Sequence, residues 1–293
     1  MLTGMFAKVA GFFLTIALFF TSLLGTGQEI VPEKTPELTA GCDIRVVQFN
    51  LRSTGLGKTS VAYRAPRLVA QLKEINADSM GFQEASIDWM LYLTENLEGY
   101  DFVGVGRTDG KQLGEFSPIF YRSDKYKLVD SGTFWLSKTP DKAGSKSWGS
   151  QNIRICTWAL LEDIETGERY AHLNTHLDHI SSQARRNQMS LVIEKTEEFI
   201  GKYPVVLTGD MNDVADSDMY NIATEKLNDS RARAAVTDDK NTFHNYGSVV
   251  PKGLIDYVFV SEDITPEVYH VIDTKINGDY LSDHYGIYVD MKF

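Results

Sequence analysis

The chain of 293 residues has little of what builds stapled or repetitive scaffolds. Its two cysteines, Cys42 and Cys156, give no disulfide framework and match no zinc spacing. Both fall in or beside strand-like sequence and read as buried free thiols. No internal repeat or low-complexity tract follows the first forty residues, so a repeat array is excluded. Basic residues are also scarce: 29 Lys and Arg face 40 Asp and Glu, for a net charge of −11. That balance argues against a non-specific nucleic-acid coat, which needs clustered Lys and Arg. It leaves open an enzyme that meets phosphate through a bound cation, because the cation inverts the local field.

Long apolar runs are absent apart from one, about Val9 to Leu24, preceded by Lys8 and followed by Gly25-Thr26-Gly27. This is the layout of a secretory signal peptide over residues 1–27, and the run is short of the roughly 20 residues of a membrane span. An uncleaved N-terminal anchor and a core helix are the alternatives. No Cys adjoins the run, which speaks against a lipoprotein anchor. The expectation is an exported protein: periplasmic, secreted or tethered by its N-terminal segment. Residues 28–42 read as a polar, Pro-containing linker, and 43–293 as one catalytic domain.

What is present is apolar and aromatic sequence, 43% and 11%, enough for a sizeable core. Strands and helices alternate. "IRVVQFNLR" reads as a strand, and "RAPRLVAQLKEIN" as a helix with Leu68, Val69, Leu72 and Ile75 on one face. "DSMGFQE" is a short strand, followed by a helix that Ser86 can cap. The middle is richer in strands, with a hairpin turn at Thr166-Gly167. Helices near 182–199 and 217–227 flank the strand "PVVLTGD", and "LIDYVFVS" and "YGIYVDMKF" close the chain. The expected fold class is α/β: two sheets packed face to face with helices outside.

One feature recurs along this order. "VVQFN" ends at Asn50, "MGFQE" at Glu84, "HLNTH" at His176 and "VVLTGD" at Asp210, with Asn212 two further on. "GLID" places Asp256 at the start of a strand, and "LSDH" places Asp283 and His284 just before the last one. A single Asp or Asn at a strand end is ordinary turn chemistry. Six strand ends doing this can share a cleft on one rim, and carboxylate and amide oxygens without thiols suit a hard cation.

The ordered set "QFN", "FQE", "NTHLDH", "GDMN", "LIDYVF" and "SDH" resembles the endonuclease/exonuclease/phosphatase superfamily, over about Asp43 to Phe293. The resemblance implies a four-layer α/β sandwich of two mixed, mainly antiparallel sheets, and divalent-metal-dependent hydrolysis of phosphoesters. It implies metal ligation by Asn50, Glu84 and Asp283, with Mg²⁺ or Mn²⁺ as the ion. It also implies that Asp210 and Asn212 hold the attacking water, that Asp256 supports His284 at the phosphate, and that His176 lies near the leaving group. Those roles agree with in-line attack and relief of charge on non-bridging oxygens. An Asp partner keeps an imidazole protonated for that role.

Arg154, Glu115 and His244 are further substrate-binding candidates; Arg154 could clamp a phosphate oxygen. Asp178 and His179 read as helix-leading or supporting residues, Asp213 as loop chemistry, and His172 and His270 as ordinary strand histidines. The expected activity is a phosphodiesterase, a nuclease of endo- or 3′-5′ exo-type on nucleic acid. The alternative is a phosphatase or phospholipase-C-type enzyme on a sugar-phosphate, inositol-phosphate or lipid head group. A binding protein that keeps the fold without the chemistry is disfavoured, because every expected ligand position holds a competent residue. No stable protein partner is implied, and a monomer is expected.

Overall fold

The computed structural model describes residues 28–249 and 253–293. The apolar N-terminal run read as a signal peptide lies outside them. Among the described residues, no helix is long and apolar enough to cross a membrane.

Two sheets carry the fold. The first has seven strands: β1 (Ile44–Asn50), β2 (Ser79–Gln83), β3 (Tyr100–Val103), β4 (Ile119–Arg122), β10 (Val236–Thr237), β12 (Thr265–Ile272) and β15 (Gly286–Lys292), in the order β10-β12-β15-β1-β2-β4-β3. The second has six: β5 (Tyr126–Trp135), β6 (Ile155–Asp163), β7 (Arg169–His176), β8 (Val205–Asp210), β9 (Asn228–Asp229) and β11 (Asp256–Val260), in the order β5-β6-β7-β8-β11-β9. A small hairpin, β13 (Lys275–Ile276) and β14 (Asp279–Tyr280), stands apart. Most pairings are antiparallel; β1–β2, β7–β8 and β10–β12 are parallel. The two mixed sheets expected from sequence are present.

Helices α1 (Val61–Ile75) and α2 (Ile87–Asn96) cover the outer face of the first sheet. Helices α3 (Ser182–Thr196) and α4 (Asp218–Thr224) cover the second, and α5 (Ser230–Arg233) is one short turn. The side chain of Ser60 caps α1 by accepting from Tyr63 N, and Asn76 closes it in a left-handed conformation. The predicted stripe of Leu68, Val69, Leu72 and Ile75 is buried as expected. Ser86 stands at the N-cap of α2, but its side chain makes no capping bond.

Strand alternation sorts the core into three layers. On β1, Val47 and Phe49 face the helices, while Ile44 and Val46 face the other sheet. On β8, Val205 and Leu207 face helices, and Val206 faces inward. Along the inner faces the residues change from apolar to polar toward one rim: Val46 gives way to Gln48 and Asn50, and Val206 to Thr208 and Asp210. β7 runs His172, Asn174, His176 along the same face.

These inner polar groups bond to one another across the sandwich. Tyr170 donates to Ser79, which bonds His172 Nδ1, and His172 Nε2 meets Thr208 at 2.9 Å. Thr208 and Gln83 both donate to Asn174 Oδ1, at 3.0 and 2.7 Å. Gln48 then joins Gln83 to Asp256, at 2.7 and 2.9 Å. Gly81 makes room for this chain, since a Cβ there would collide with Thr208 and Asn174.

Residues 33–39, within the stretch read as a linker, lie along the domain. Arg45 donates to the carbonyls of Pro36 and Glu37 while paired with Asp290, and Thr39 also bonds Asp290.

Candidate active site

Topology explains why so many strands end in polar residues on one rim. β1 and β2 are parallel, so Asn50 and Gln83, just before Glu84, finish side by side. β7 and β8 are parallel, pairing His176 with Asp210. β11 and β15 run the opposite way, so their beginnings reach the same rim, and Asp256 lies directly opposite Asp210. Asn50, Glu84, Asp283 and His284 come from the first sheet, and His176, Asp210, Asn212 and Asp256 from the second. Together they surround a pocket of about 360 Å³. Glu84, Glu115, Arg154, His176, Asp210, Asn212, Asp283 and His284 line it, with Asn50 and Asp256 fully buried just behind.

The backbone is held in unusual geometry here. Arg52, Glu84 and Asn212 all have positive φ, at 57°, 54° and 51°. Such angles cost non-glycine residues energy and persist only where the surroundings over-determine them. Ser53 donates to Glu84 from both its amide and its hydroxyl. Buried Arg64 ties the rim together from α1, donating to the carbonyls of Leu51, Arg52, Thr59 and Leu281.

Charge is arranged by pairing. Burial opposes a charged His284, yet Asp256 bonded at 2.8 Å, with Asp210 and Asp283 nearby, lifts it to about 10. Its imidazole is therefore protonated at neutral pH. Asp210 moves up, because it is buried and faces Asp256, and His284, the Asn50 amide at 2.8 Å and the Asn212 backbone N–H offset this in part. A carboxylate raised in this way is a stronger base. His176 is pushed well down by burial and by Arg154, and stays neutral. Burial also works against ionised Glu84, but the Ser53 amide, Arg52, His284 and Asn50 outweigh it and hold the carboxylate charged.

Two groups present themselves for a metal. The ligand atoms of Asp210, Asp256 and His284 lie within 4.8 Å of one another. A protonated imidazole bonded to its own carboxylate has no lone pair to give, so this trio is better suited to water and phosphate. Glu84, Asn50 and Asp283 offer two carboxylates and an amide, a hard-oxygen set suited to Mg²⁺ or Mn²⁺.

The remaining candidates differ. Arg154 is buried and lines the pocket. Glu115 lines it too, but Arg107 has claimed its carboxylate. His244 does not line the pocket: it stacks on Tyr280 and packs tilted against Tyr285, with centroids at 4.5 and 4.1 Å, and its amide donates to Asp283 O. Its contact is with the segment that carries Asp283 rather than with the pocket. Asp178 is fully buried and accepts from Ser150, Gln151, Asn152, Ile180 and Ser181, fixing the turn that leads into Arg154. Sequence reasoning missed Arg64, Gln48, Gln83 and Thr208. Three of these sit two residues before a site residue on the same strand face, or next to one, a period-two signal available in the sequence.

Comparison with known proteins agrees with this architecture. Residues 47–284 match the model of the Endonuclease/Exonuclease/phosphatase family. A solved endonuclease/exonuclease/phosphatase from Bacteroides vulgatus is 35% identical, with a TM-score of 0.82, covering 85% of this chain and 98% of its own. The mannosyl-6-phosphatase of Bacteroides thetaiotaomicron VPI-5482 is 32% identical with a TM-score of 0.81, covering 86% of this chain and all of its own. The Candida albicans CCR4-Not complex 3′-5′-exoribonuclease subunit Ccr4 is 25% identical over 195 residues, 55% of this chain. The chain spans about a quarter of that relative's length, 24%.

Proposed function

Because the chain belongs to the Endonuclease/Exonuclease/phosphatase family and is thus a hydrolase of phosphoester bonds, we propose that it is a divalent-metal-dependent phosphatase of small phosphorylated sugars. The observation that carries this reading is the pocket: at about 360 Å³ it has the size of a small-molecule site. Its net charge of −11 argues against a basic coat for nucleic acid. The likeness to a mannosyl-6-phosphatase over that protein's whole length supports the same substrate class. This ordering reverses the one drawn from sequence alone, where a nuclease came first.

In the proposed mechanism Asn50, Glu84 and Asp283 would hold Mg²⁺ or Mn²⁺. When bound, the ion neutralises charge on the non-bridging phosphate oxygens. As the water oxygen bonds to phosphorus and the phosphorus–oxygen bond to the sugar breaks, Asp210, with its raised proton affinity, takes a proton from the attacking water, and the departing sugar oxygen takes one from solvent. Asn212 fixes the neighbouring His176 by facing its Nε2 at 2.9 Å while donating to Leu177 O. His284, held protonated by Asp256, donates to the phosphate as charge builds.

Phosphate release from mannose 6-phosphate and glucose 6-phosphate, measured beside single-stranded RNA and DNA, tests the reading. Turnover of the sugar phosphates that disappears in Asp210→Asn is expected. Cleavage of the nucleic acids alone would instead favour the nuclease reading, which the Ccr4 likeness supports.

A further inference from the structure

The pocket's cations are not equal. His284 is paired with Asp256 at 2.8 Å and Arg52 faces Asp283 at 3.6 Å, while Arg107, lining an adjoining small chamber, holds Glu115. Arg154 has no carboxylate within ion-pair distance among the described residues, although it is only 4% exposed. Its single polar contact from the side chain is to His179 Nδ1 at 3.5 Å, and its Nε has no partner at all. Glu115, Asp210 and Glu84 are near enough to act on its charge but none is bonded to it, and a buried guanidinium left so is costly, kept where an anion completes it.

A second unpartnered atom lies close by. His176 Nδ1 is buried without a hydrogen bond. The Asn212 amide nitrogen donates to Leu177 O and faces His176 Nε2, so Nε2 accepts and Nδ1 carries the hydrogen. Arg154 and His176 both line the pocket and a chamber of about 10 Å³ behind it, room for about one water. Two buried residues thus offer donors that nothing among the described residues accepts.

We propose that Arg154 makes this pocket selective for phosphomonoesters, its guanidinium seating the terminal phosphate oxygen that a diester lacks. The inference rests on the phosphatase reading given above. A diester has two terminal oxygens and one negative charge, whereas a monoester has a third oxygen and close to two charges. The third oxygen is where the two classes differ, and a guanidinium bonded to no carboxylate rewards it. The setting is rigid enough for such discrimination, because Arg154 leads β6, its carbonyl accepts from Leu136 N, and Asp178 pins the preceding turn. The planar guanidinium also matches phosphate geometry better than an ammonium would.

The test uses the full chain with Mn²⁺ and two substrates sharing one leaving group, p-nitrophenyl phosphate and methyl p-nitrophenyl phosphate. Arg154→Met is expected to lower kcat/KM for the monoester roughly 10- to 100-fold, the range for a lost charge-assisted hydrogen bond. The diester should change less than about threefold, with Arg154→Lys falling between. Calorimetric binding of inorganic phosphate to metal-free protein should weaken in parallel. Equal losses on both substrates, or unchanged phosphate binding, would overturn the role of Arg154 while leaving the phosphatase reading intact. A wild-type protein that turns over only the diester would overturn both. Should Arg154→Met fail to fold, Arg154→Lys decides: a selective monoester loss supports the proposal and an equal loss overturns it.

Discussion

His284 Nδ1 and Asp256 Oδ2 lie 2.8 Å apart, with Asp256 wholly buried and its other oxygen bonded by Gln48. The pair joins the two sheets at the rim and fixes the charge of the imidazole. It stabilises the fold fully below the unfolded histidine value near 6.5, and that contribution is lost as pH rises through about 10. In Asp256→Asn the ring loses its main partner, with Asp210 and Asp283 left to hold it, so its titration, followed by NMR, should move downward from about 10. At pH 8 kcat should fall at least about 100-fold, within the usual range for a lost donor to the developing charge. A ring that still titrates near 10 would refute the pairing.

Metal binding separates the two candidate ligand groups. Glu84→Gln and Asp283→Asn should each weaken Mn²⁺ binding at least about tenfold and abolish turnover, as should chelation with EDTA. His284→Gln should keep Mn²⁺ affinity within about threefold while losing turnover. Isothermal titration reads both; loss of metal binding in His284→Gln alone would move the ion to the Asp210–Asp256–His284 trio.

Gly81 faces Thr208 and Asn174 across the sandwich, and neither can swing away, since both are fully buried and bonded. Gly81→Ala should cost about 1–3 kcal/mol, the range for overpacking, and lower Tm by roughly 5 °C. A melting curve indistinguishable from wild type would show that the sheets can part without penalty.

His172 gives an acid-side prediction. Burial lowers it to about 3, so between about pH 6.5 and 3 the unfolded chain carries one more proton than the folded one. Stability through this group is present above 6.5 and lost as pH falls, by about 1.4 kcal/mol per pH unit. His172→Gln should be less stable at pH 7, having a poorer fit between Ser79 and Thr208, but should lose stability less steeply on acidification. Urea midpoints from pH 7 to 4 give both slopes, and parallel slopes would contradict it.

Much of the rim was legible because chemistry replaces apolar residues where strands stop. Asn50, Glu84, His176, Asp210, Asp256, Asp283 and His284 all come together, and Arg154 joins them from the start of β6. His244 misled because a histidine in a loop says nothing about its neighbours, and Tyr280 and Tyr285 are contributed from far along the chain. His172 read as an ordinary strand residue because its partners, Ser79 and Thr208, sit on strands of opposite sheets. Arg64 stayed hidden within a helical stripe, where the targets it binds are carbonyls and leave no trace in sequence.

The bonded chain from Ser79 through His172, Thr208, Asn174, Gln83 and Gln48 has a consequence for precision of assembly. Half of the chemistry rides on each sheet, so its accuracy is the accuracy with which two slabs are seated on each other. A greasy interface tolerates sliding; a slip of one residue, about 3.3 Å, would leave this row of buried donors and acceptors unmatched. The row acts as dowels between machined plates. Apolar replacements of equal volume could melt higher and yet hold Asp210 and His284 less truly.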